Sequence, residues 1–180
     1  MNHIKEKLRK LGIQQLKNIA ISGCKHEKEQ KIYHKLFQSK EWNQAQVVGL
    51  TIANTIEVST KAIVETAMKE GKTVLAPKTF ANRNMEFFKI DHTTIFERTN
   101  FGVLEPVSEI YFMPEKIDLL LVPGIIYHTD GYRIGFGGGY FDRYLTNYSN
   151  QTCSLVFHEQ INNQWTPESF DKKIQRLFID

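Results

Sequence analysis

The sequence has little cysteine and no long apolar run, and these absences exclude several classes of protein. Its two cysteines, Cys24 and Cys153, are isolated, so they form neither a metal-binding pattern nor a disulfide framework. The six histidines also lack the spacing of metal ligands. No apolar run approaches the roughly 20 residues of a membrane-spanning helix, and the N-terminal residues are charged, unlike those of a secretion signal. We therefore expect a cytoplasmic protein that does not enter a membrane.

Standard nucleotide-binding fingerprints are also missing. No Gly-Lys-Ser/Thr closes a glycine-rich loop as in a P-loop, and the downstream acid of a dinucleotide site is not evident. We find no internal repeat, linker or low-complexity tract. A chain of 180 residues without such features predicts a single domain over residues 1–180, large enough to bury a substantial core.

Positive charge is concentrated in residues 1–40. This segment holds ten lysines and arginines against three glutamates, a net charge of +7, whereas the whole chain carries +3. A basic segment can bind nucleic acid, but here it has no interleaved aromatics and no recognisable nucleic-acid module, so we expect no nucleic-acid partner. Two interpretations remain, a solvated helix face and a basic lid over a small polyanionic ligand.

The order of apolar runs predicts an α/β fold. Helical spacing of Ile4, Leu8 and Leu11 predicts a first amphipathic helix, and a second is predicted over about residues 27–39. A strand at 47–52, a helix that begins at Ser59 or Thr60 and ends at Gly71, and a strand at 72–77 form a βαβ unit, which requires parallel strands. Further strands are predicted at 85–90, 118–122, 154–157 and 177–179, whereas residues 91–114 are predicted to be irregular. The result is one three-layer α/β/α domain with a largely parallel sheet.

A glycine-rich segment follows the apolar strand at 118–122. Gly135 and Gly137 to Gly139 are preceded by Arg133 and followed by a short predicted helix that contains Asp142. Glycines let the backbone approach an anion, and the amides of a first helical turn point towards it. Arg133 adds a planar, charged guanidinium that can donate to two phosphate oxygens at once. The carboxylate of Asp142 is favourable beside a phosphate when Mg²⁺ lies between the two groups. A tight turn with a dipole-complementing acid is the alternative, but the combination favours a phosphate site.

Two further positions are candidates for ligand contacts. Lys5 and Arg9 lie four residues apart on one face of the first helix, where they could reach a single phosphate or carboxylate. Glu57 lies beyond the C-terminal end of the strand at 47–52, the edge at which open α/β sheets bind ligands. An ordinary charged surface is the alternative for all three.

Together these motifs resemble the 5-formyltetrahydrofolate cyclo-ligase family, also called methenyltetrahydrofolate synthetases. The strongest match is Val122-Pro123-Gly124 followed by the run from Arg133 to Leu145, which resembles the family pattern Arg-Leu-Gly-x-Gly-x-Gly-Tyr-Tyr-Asp. Three more matches follow in the expected order, Lys5-x-x-Leu8-Arg9, Glu57-x-x-Thr60 and Gly102-x-x-Glu105-Pro106. The resemblance covers nearly the whole chain and implies a fold of the NagB/RpiA/CoA-transferase type.

The resemblance implies an ATP-driven ring closure that uses Mg²⁺. In this reaction 5-formyltetrahydrofolate and ATP give 5,10-methenyltetrahydrofolate, ADP and phosphate. A formamide carbonyl is a poor electrophile and its oxygen is a poor leaving group, so phosphorylation of the formyl oxygen allows the folate N10 to attack. The expected partners are therefore small-molecule substrates, and the expected state is a monomer.

The resemblance also assigns residues to each part of this reaction. It marks Arg133 and Asp142 as catalytic, and Asp142 and Asp171 as magnesium ligands. The positions matched to ATP binding are Lys5, Arg9, Arg133, Ile134, Gly135, Phe136, Gly137, Gly138, Gly139, Tyr140 and Phe141. The positions matched to folate binding are Arg9, Ile52, Glu57, Phe136, Gly137, Gly138, Gly139 and Tyr140. Met85 falls where the family often has a methionine near the pterin.

The chain departs from the family pattern at four positions, one of which is Tyr127, where many members have Phe. Ile134 replaces Leu and Phe141 replaces Tyr, and both changes preserve bulk. His128 stands where many members have Asp, so we assign it no catalytic role and expect an ordinary turn residue. Two other functions remain open, a folate- or nucleotide-binding protein without catalysis and a sugar-phosphate isomerase of the same general fold.

Overall fold

A seven-stranded sheet lies at the centre of the molecule, and helices pack on both of its faces. The computed structural model describes residues 2–100 and 102–180. The helices are α1 (Asn2–Ile21), α2 (Lys25–Phe37), α3 (Lys40–Gln44), α4 (Lys61–Lys69) and α5 (Tyr140–Tyr144). The strands are β1 (Val47–Leu50), β2 (Thr73–Phe80), β3 (Asn84–Ile90), β4 (Phe96–Arg98), β5 (Leu104–Pro106), β6 (Tyr111–Phe112), β7 (Leu119–Leu121), β8 (Ile126–Tyr127), β9 (Arg133–Ile134), β10 (Gln151–Val156) and β11 (Arg176–Ile179). Within the described ranges, no helix is both long and apolar enough to span a bilayer.

The central sheet is largely parallel, as predicted. Its strand order is β11-β10-β7-β1-β2-β3-β6. The first five of these strands are parallel to one another, and only β3 and β6 run antiparallel to their neighbours. The predicted βαβ unit is present, because β1 and β2 pair in parallel across the α4 crossover. The carboxyl ends of β1, β7 and β10 therefore share one edge, where ligands bind in such sheets.

Alternating side chains divide the core between the two faces of the sheet. Leu119 and Leu121 of β7 pack with buried residues of α1 to α4, whereas Leu120 packs with residues that surround α5. All three leucines are almost fully buried. A strand that is buried on both faces reads as a continuous apolar run, which is why the sequence predicted β7. The predicted α/β fold with helices on both faces is confirmed.

Several element boundaries differ from the sequence prediction. Residues 91–114 were predicted to be irregular, but they contain β4, β5 and β6. The strand predicted at 47–52 ends at Leu50, and Ile52 forms only an isolated bridge with Leu104. Helix α4 ends at Lys69, and Gly71 then adopts a left-handed backbone with φ of 77°. Helix α3 was not predicted, although Ser39 caps it by accepting a hydrogen bond from the Trp42 amide at 3.2 Å.

A short hairpin of β8 and β9 connects the central sheet to the glycine-rich segment. Ile126 of β8 pairs with Ile134 of β9, and α1 packs directly on this hairpin. A Cβ at Gly12 would lie 2.6 Å from Cγ2 of Ile125, so only glycine permits the helix to approach this closely. This contact brings the basic face of α1 next to the glycine-rich segment. His128 lies in the connection between the two strands, where a turn residue was expected.

Candidate functional site

The glycine-rich segment, residues 135–139, presents an open strip of main chain. Residues 136–139 are exposed, and a Cβ at Gly135 would meet no other atom within 4 Å. Gly137 and Gly139 have φ of 102° and 72°, in the left-handed region that other residues rarely adopt. The glycines of the strip can therefore bring main chain close to a ligand, although the exposed Phe136 side chain lies among them and the Tyr140 ring lies 2.8 Å from the Cβ position of Gly138. We call it the glycine strip.

Arg9 of α1 lies against the glycine strip. Its Nε donates a hydrogen bond to the Gly135 carbonyl at 2.9 Å. Its guanidinium carbon lies 3.5 Å from the position that a Cβ of Gly137 would occupy. The structure thus brings together two features that are 126 residues apart in sequence. A permanent positive charge therefore lies beside exposed residues whose amides donate no hydrogen bond to the described residues, a combination that suits an anion.

Lys5, one turn before Arg9 on α1, contacts the C-terminal segment. Its Nζ lies 2.6 Å from Oε2 of Glu168 and 2.6 Å from Oδ2 of Asp171. The aromatic rings of Trp165 and Phe170 lie 5.7 and 5.1 Å from the same ammonium. Lys5 and Asp171, matched to ATP and to magnesium respectively, are therefore brought together as an ion pair.

Arg133 and Asp142, the two predicted catalytic residues, also pair with each other. The Arg133 side chain is only 2% exposed, and its Nη1 lies 3.2 Å from Oδ1 of Asp142. Its Nε donates to the Pro123 carbonyl at 3.3 Å, and Nη1 also donates to the Lys172 carbonyl at 3.2 Å. The guanidinium thus bonds to three other segments of the chain, at Pro123, Asp142 and Lys172. Its predicted contact with ATP stays a prediction.

The two predicted magnesium ligands differ in how far they can accept a metal. Among the described residues, no group of three or more His, Cys, Asp or Glu side chains could hold a metal ion. Mg²⁺ commonly needs only one or two carboxylates together with phosphate oxygens and water. Asp142 is 26% exposed on its side chain, and its Oδ2 accepts no hydrogen bond from the described residues, so it fits this role. Both carboxylate oxygens of Asp171 accept from Lys5, so Asp171 fits only after Lys5 moves.

Glu57 lies in a small cavity at the carboxyl ends of β1 and β7. The cavity has a volume of about 30 Å³ and is lined also by Gly124, Tyr127 and Gln160. The Oε2 of Glu57 accepts a hydrogen bond from the Asn54 amide at 2.9 Å. Burial raises the pKa of Glu57, and it outweighs the opposing effects of that hydrogen bond and of the Lys25 charge. A carboxylate at this position is suited to accept hydrogen bonds from a ligand.

Ile52 lines a second, larger cavity beside the first. This cavity has a volume of about 340 Å³, and its apolar lining includes Met68, Ile90 and Phe96. Ala53 and Thr60 line both cavities, so the two are neighbours. The structure therefore places Ile52 and Glu57, two of the predicted folate contacts, in adjoining hollows.

The segment after β7 connects the Glu57 cavity with Arg133. Pro123 and Gly124 line the cavity, and the Pro123 carbonyl accepts from Arg133. Gln160 is 3% exposed, and its Nε2 donates to the carbonyls of Gly124 and Ile125 at 3.1 Å each. These two bonds hold the main chain at Gly124 and Ile125, directly after the proline whose carbonyl accepts from Arg133.

Several predicted ligand contacts belong to the packed core. Ile134 is 2% exposed and packs with Leu8 and Trp165. Tyr140 and Phe141 pack against the core cluster that contains Met85, which is itself 7% exposed. A contact of Ile134 with ATP would therefore use its main chain. The exposed members of the predicted set are Phe136, Gly137, Gly138 and Gly139.

Sequence reasoning missed three residues near these groups. Arg83 lies against Gly139, Glu168 pairs with Lys5, and Gln160 holds the segment after β7. Glu168 stands only three residues before Asp171, and that short spacing was the one available signal. Arg83 and Gln160 gave none, because both reach the site through contacts distant in sequence.

Comparisons with known proteins place the sequence and the fold of this chain in one family. A model of the 5-formyltetrahydrofolate cyclo-ligase family matches residues 2–179. The 5-formyltetrahydrofolate cyclo-ligase of Haemophilus influenzae is 27% identical over 158 residues, which cover 81% of this chain and 84% of that protein. The Mus musculus protein of the same name is 24% identical over 160 residues, which cover 81% and 79%. The NMR structure of Aquifex aeolicus 5,10-methenyltetrahydrofolate synthetase superimposes with a TM-score of 0.84 and 24% identity, over 98% of this chain and 89% of that one.

Proposed function

The chain belongs to the 5-formyltetrahydrofolate cyclo-ligase family, and we propose that it converts 5-formyltetrahydrofolate to 5,10-methenyltetrahydrofolate with ATP and Mg²⁺. The observation that carries this proposal is the contact of Arg9 with an open glycine strip, next to the carboxylate of Asp142. Arg9 supplies positive charge, the glycine strip supplies main-chain donors, and Asp142 supplies a metal ligand. Phosphoryl transfer depends mainly on alignment and on charge neutralisation, which such groups provide.

The triphosphate of ATP binds along the glycine strip in this proposal. Among the described residues, the main-chain amides of residues 135–139 donate no hydrogen bond to a protein acceptor, and Arg9 balances negative charge beside Gly137. Arg133 holds Asp142 in place through the ion pair, so its contribution is to position that carboxylate. Mg²⁺, when bound, offsets charge on the phosphate oxygens, and Asp142 is the residue of this chain best placed to hold it.

The folate occupies the hollows beside Glu57 and Ile52. Glu57 accepts hydrogen bonds from pterin N–H groups, and Ile52 supplies apolar contact from the adjoining cavity. Phosphorylation of the formyl oxygen then converts a poor leaving group into phosphate, and N10 attacks the activated carbon. The chain contributes by holding the formyl oxygen and the triphosphate at the same edge of the sheet, which reduces the entropy cost of the reaction.

A direct assay tests this function. The purified protein is mixed with 5-formyltetrahydrofolate, ATP and Mg²⁺, and the near-ultraviolet absorbance of the conjugated methenyl product is followed. We expect product only when all three are present, and a loss of activity in Arg9→Gln. Lys17→Gln is the matched control, because it removes one exposed charge from the same helix.

Other outcomes of the assay would contradict the proposal. Folate binding without turnover would indicate a binding protein, and isomerisation of a sugar phosphate would indicate the other open function. The monomeric state and the cytoplasmic location remain predictions. Light scattering of the purified protein tests the first, and fractionation of the source cells tests the second.

A further inference from the structure

Arg83 lies at the tip of the hairpin that joins β2 to β3. Three residues, Ala81 to Arg83, make the connection. Asn82 and Arg83 both have φ of 60°, a left-handed backbone that is unusual for arginine. This tight turn points the Arg83 side chain towards the glycine strip. Its Nη1 lies 3.7 Å from the position that a Cβ of Gly139 would occupy.

The Arg83 side chain is exposed and available for a ligand. Within residues 2–100 and 102–180, no hydrogen bond or ion pair involves its guanidinium, whereas Arg9, Arg98 and Arg133 each donate to protein oxygens. Asp142, the acid nearest in sequence to the glycine strip, pairs with Arg133. Among the described residues, no carboxylate therefore pairs with the positive charge of Arg83.

Two guanidinium groups thus flank the glycine strip. The strip itself contains no cationic side chain, since residues 135–139 are four glycines and Phe136. Arg9 lies beside Gly137 and Arg83 beside Gly139. Two residues of chain span at most about 7 Å, so both groups can engage one short polyanion that lies along the strip.

We propose that Arg83 is a phosphate-binding residue that supplies the second guanidinium for the triphosphate of ATP. This inference rests on the proposed function, because it adds a residue to the same nucleotide site. Arginine suits the role because its planar fork pairs with two phosphate oxygens at once. Residues 137–139 are exposed, and their amides donate no hydrogen bond to the described residues, which favours a phosphate over the isolated carboxylates of a folate glutamate tail.

Arg83→Gln tests the inference, since it removes the charge and keeps a side chain of similar length. We expect the KM for ATP and the Kd for ATP, measured by calorimetry without folate, to rise about tenfold or more. Inorganic triphosphate should lose affinity in the same proportion, and the KM for 5-formyltetrahydrofolate should stay within twofold. Arg83→Lys should recover part of the affinity, because it restores the charge without the fork.

Lys89→Gln is the matched control, because it removes an exposed charge from the other end of β3. It should leave both KM values unchanged, and all three variants should unfold at the temperature of the wild type. An Arg83→Gln protein with wild-type affinity for ATP and triphosphate would overturn this inference alone. So would a selective rise in the KM for 5-formyltetrahydrofolate, which would assign Arg83 to the folate tail. A wild-type chain that binds neither ATP nor triphosphate would overturn the proposed function and this inference with it.

Discussion

Single side chains of the predicted nucleotide site differ in what they already contact. Arg9 donates through Nε to a carbonyl of the glycine strip and stays partly exposed, so it can also meet a ligand. Arg133 is buried, and two of its nitrogens donate to protein oxygens. Two arginines of the same motif set therefore have different tasks. We assign charge neutralisation to Arg9 and support of the carboxylate to Arg133.

Asp142→Asn should separate support of the fold from metal binding. Asparagine keeps an oxygen acceptor for Arg133 and Lys172, but the buried guanidinium loses its counter-charge. We expect the free energy of unfolding to fall by about 2 kcal/mol. The Mg²⁺ concentration for half-maximal turnover should rise tenfold or more, while folate binding changes less than twofold.

The Asp142→Asn effect needs a control for general loss of negative charge. Asp130→Asn serves, because the Asp130 side chain is 69% exposed in the turn before β9. It should leave stability and the Mg²⁺ titration unchanged. An unaltered Mg²⁺ titration in Asp142→Asn would remove that residue from metal binding.

Glu57→Gln should show a pH-dependent change in stability. Burial raises the pKa of Glu57, so the folded state holds this proton more tightly than the unfolded state does. Wild-type stability therefore falls as the pH rises from the ordinary glutamate pKa of about 4.3 to the raised folded-state value. Glutamine carries no charge, so the variant should gain stability relative to wild type between pH 4 and pH 7.

Urea unfolding at both pH values measures this gain. The altered hydrogen bonding of glutamine changes the free energy of unfolding equally at both pH values. The test is therefore the change in the stability difference between variant and wild type from pH 4 to pH 7. Glu65→Gln, an exposed glutamate of α4, should show no such trend. The explanation fails if the Glu57→Gln variant gains less at pH 7 than at pH 4. Binding of 5-formyltetrahydrofolate at pH 7 should weaken in Glu57→Gln, because the acceptor charge is lost.

At the scale of elements, the β8–β9 hairpin determines the geometry of the site. The turn before β9 packs against the C-terminal segment, where Ile174 N donates to the Gly131 carbonyl at 2.9 Å. The same segment bonds Arg133 and Asp142 through Lys172. One hairpin thus aligns α1, the glycine strip and residues 172–174.

Gly131→Ala should destabilise the protein far more than an ordinary glycine substitution. Gly131 has φ of 97°, and an added Cβ would clash with the Ile174 carbonyl oxygen. We expect a loss of about 3 kcal/mol from backbone strain and this clash together. Gly71→Ala is the matched control, because Gly71 has φ of 77° and open space around its Cβ position.

Denaturant unfolding of the two alanine variants measures the difference. Gly71→Ala should lose only about 1 kcal/mol, the cost of the left-handed backbone. Equal losses in the two variants would show that the contact between the turn and Ile174 is unimportant.

At the scale of the whole molecule, ion pairs connect the first helix with the last segment of the chain. Lys5 binds Glu168 and Asp171, which are more than 160 residues away in sequence. Lys28 of α2 binds Asp180 at 2.8 Å. Burial works against the Lys28 charge, but hydrogen bonds to Asp180 and Glu159 outweigh it and raise the pKa of Lys28. Ion pairs of the two N-terminal helices therefore hold the C-terminal segment in place.

Lys5→Met should weaken the attachment of the C-terminal segment to α1. Methionine keeps the length of the side chain but leaves two carboxylates without their cation, and the Asp171 side chain is only 5% exposed. We expect the free energy of unfolding to fall by about 1–3 kcal/mol. Hydrogen exchange should accelerate in residues 165–171, with little change in β1 and β7.

Lys7→Met is the control for Lys5→Met, because Lys7 lies on the same helix and is exposed. Its exchange pattern should match that of the wild type. Unchanged protection of residues 165–171 in Lys5→Met would show that the ion pairs contribute little to holding the segment.

Elements with local signals could be predicted from the amino-acid sequence alone. Continuous apolar runs predicted β1 and β7, and helical spacing predicted α1, because burial imposes those patterns on neighbouring residues. The glycine strip was also evident, since its glycines and the acid after it lie within a few residues. Strands β8 and β9 were missed, because two residues are too few to show a period. Strands β4 and β5 were missed because their pairing depends on contacts across a loop.

The charges that lie beside the glycine strip could not be predicted from the sequence, because they depend on how the chain folds. Arg133 is adjacent in sequence but turns into the protein, because Asp142 and two carbonyls bind it there. Arg83 is more than 50 residues away but reaches Gly139 through the turn between β2 and β3. Sheet pairing and hairpin geometry set these distances, and a linear sequence does not encode them in any local pattern.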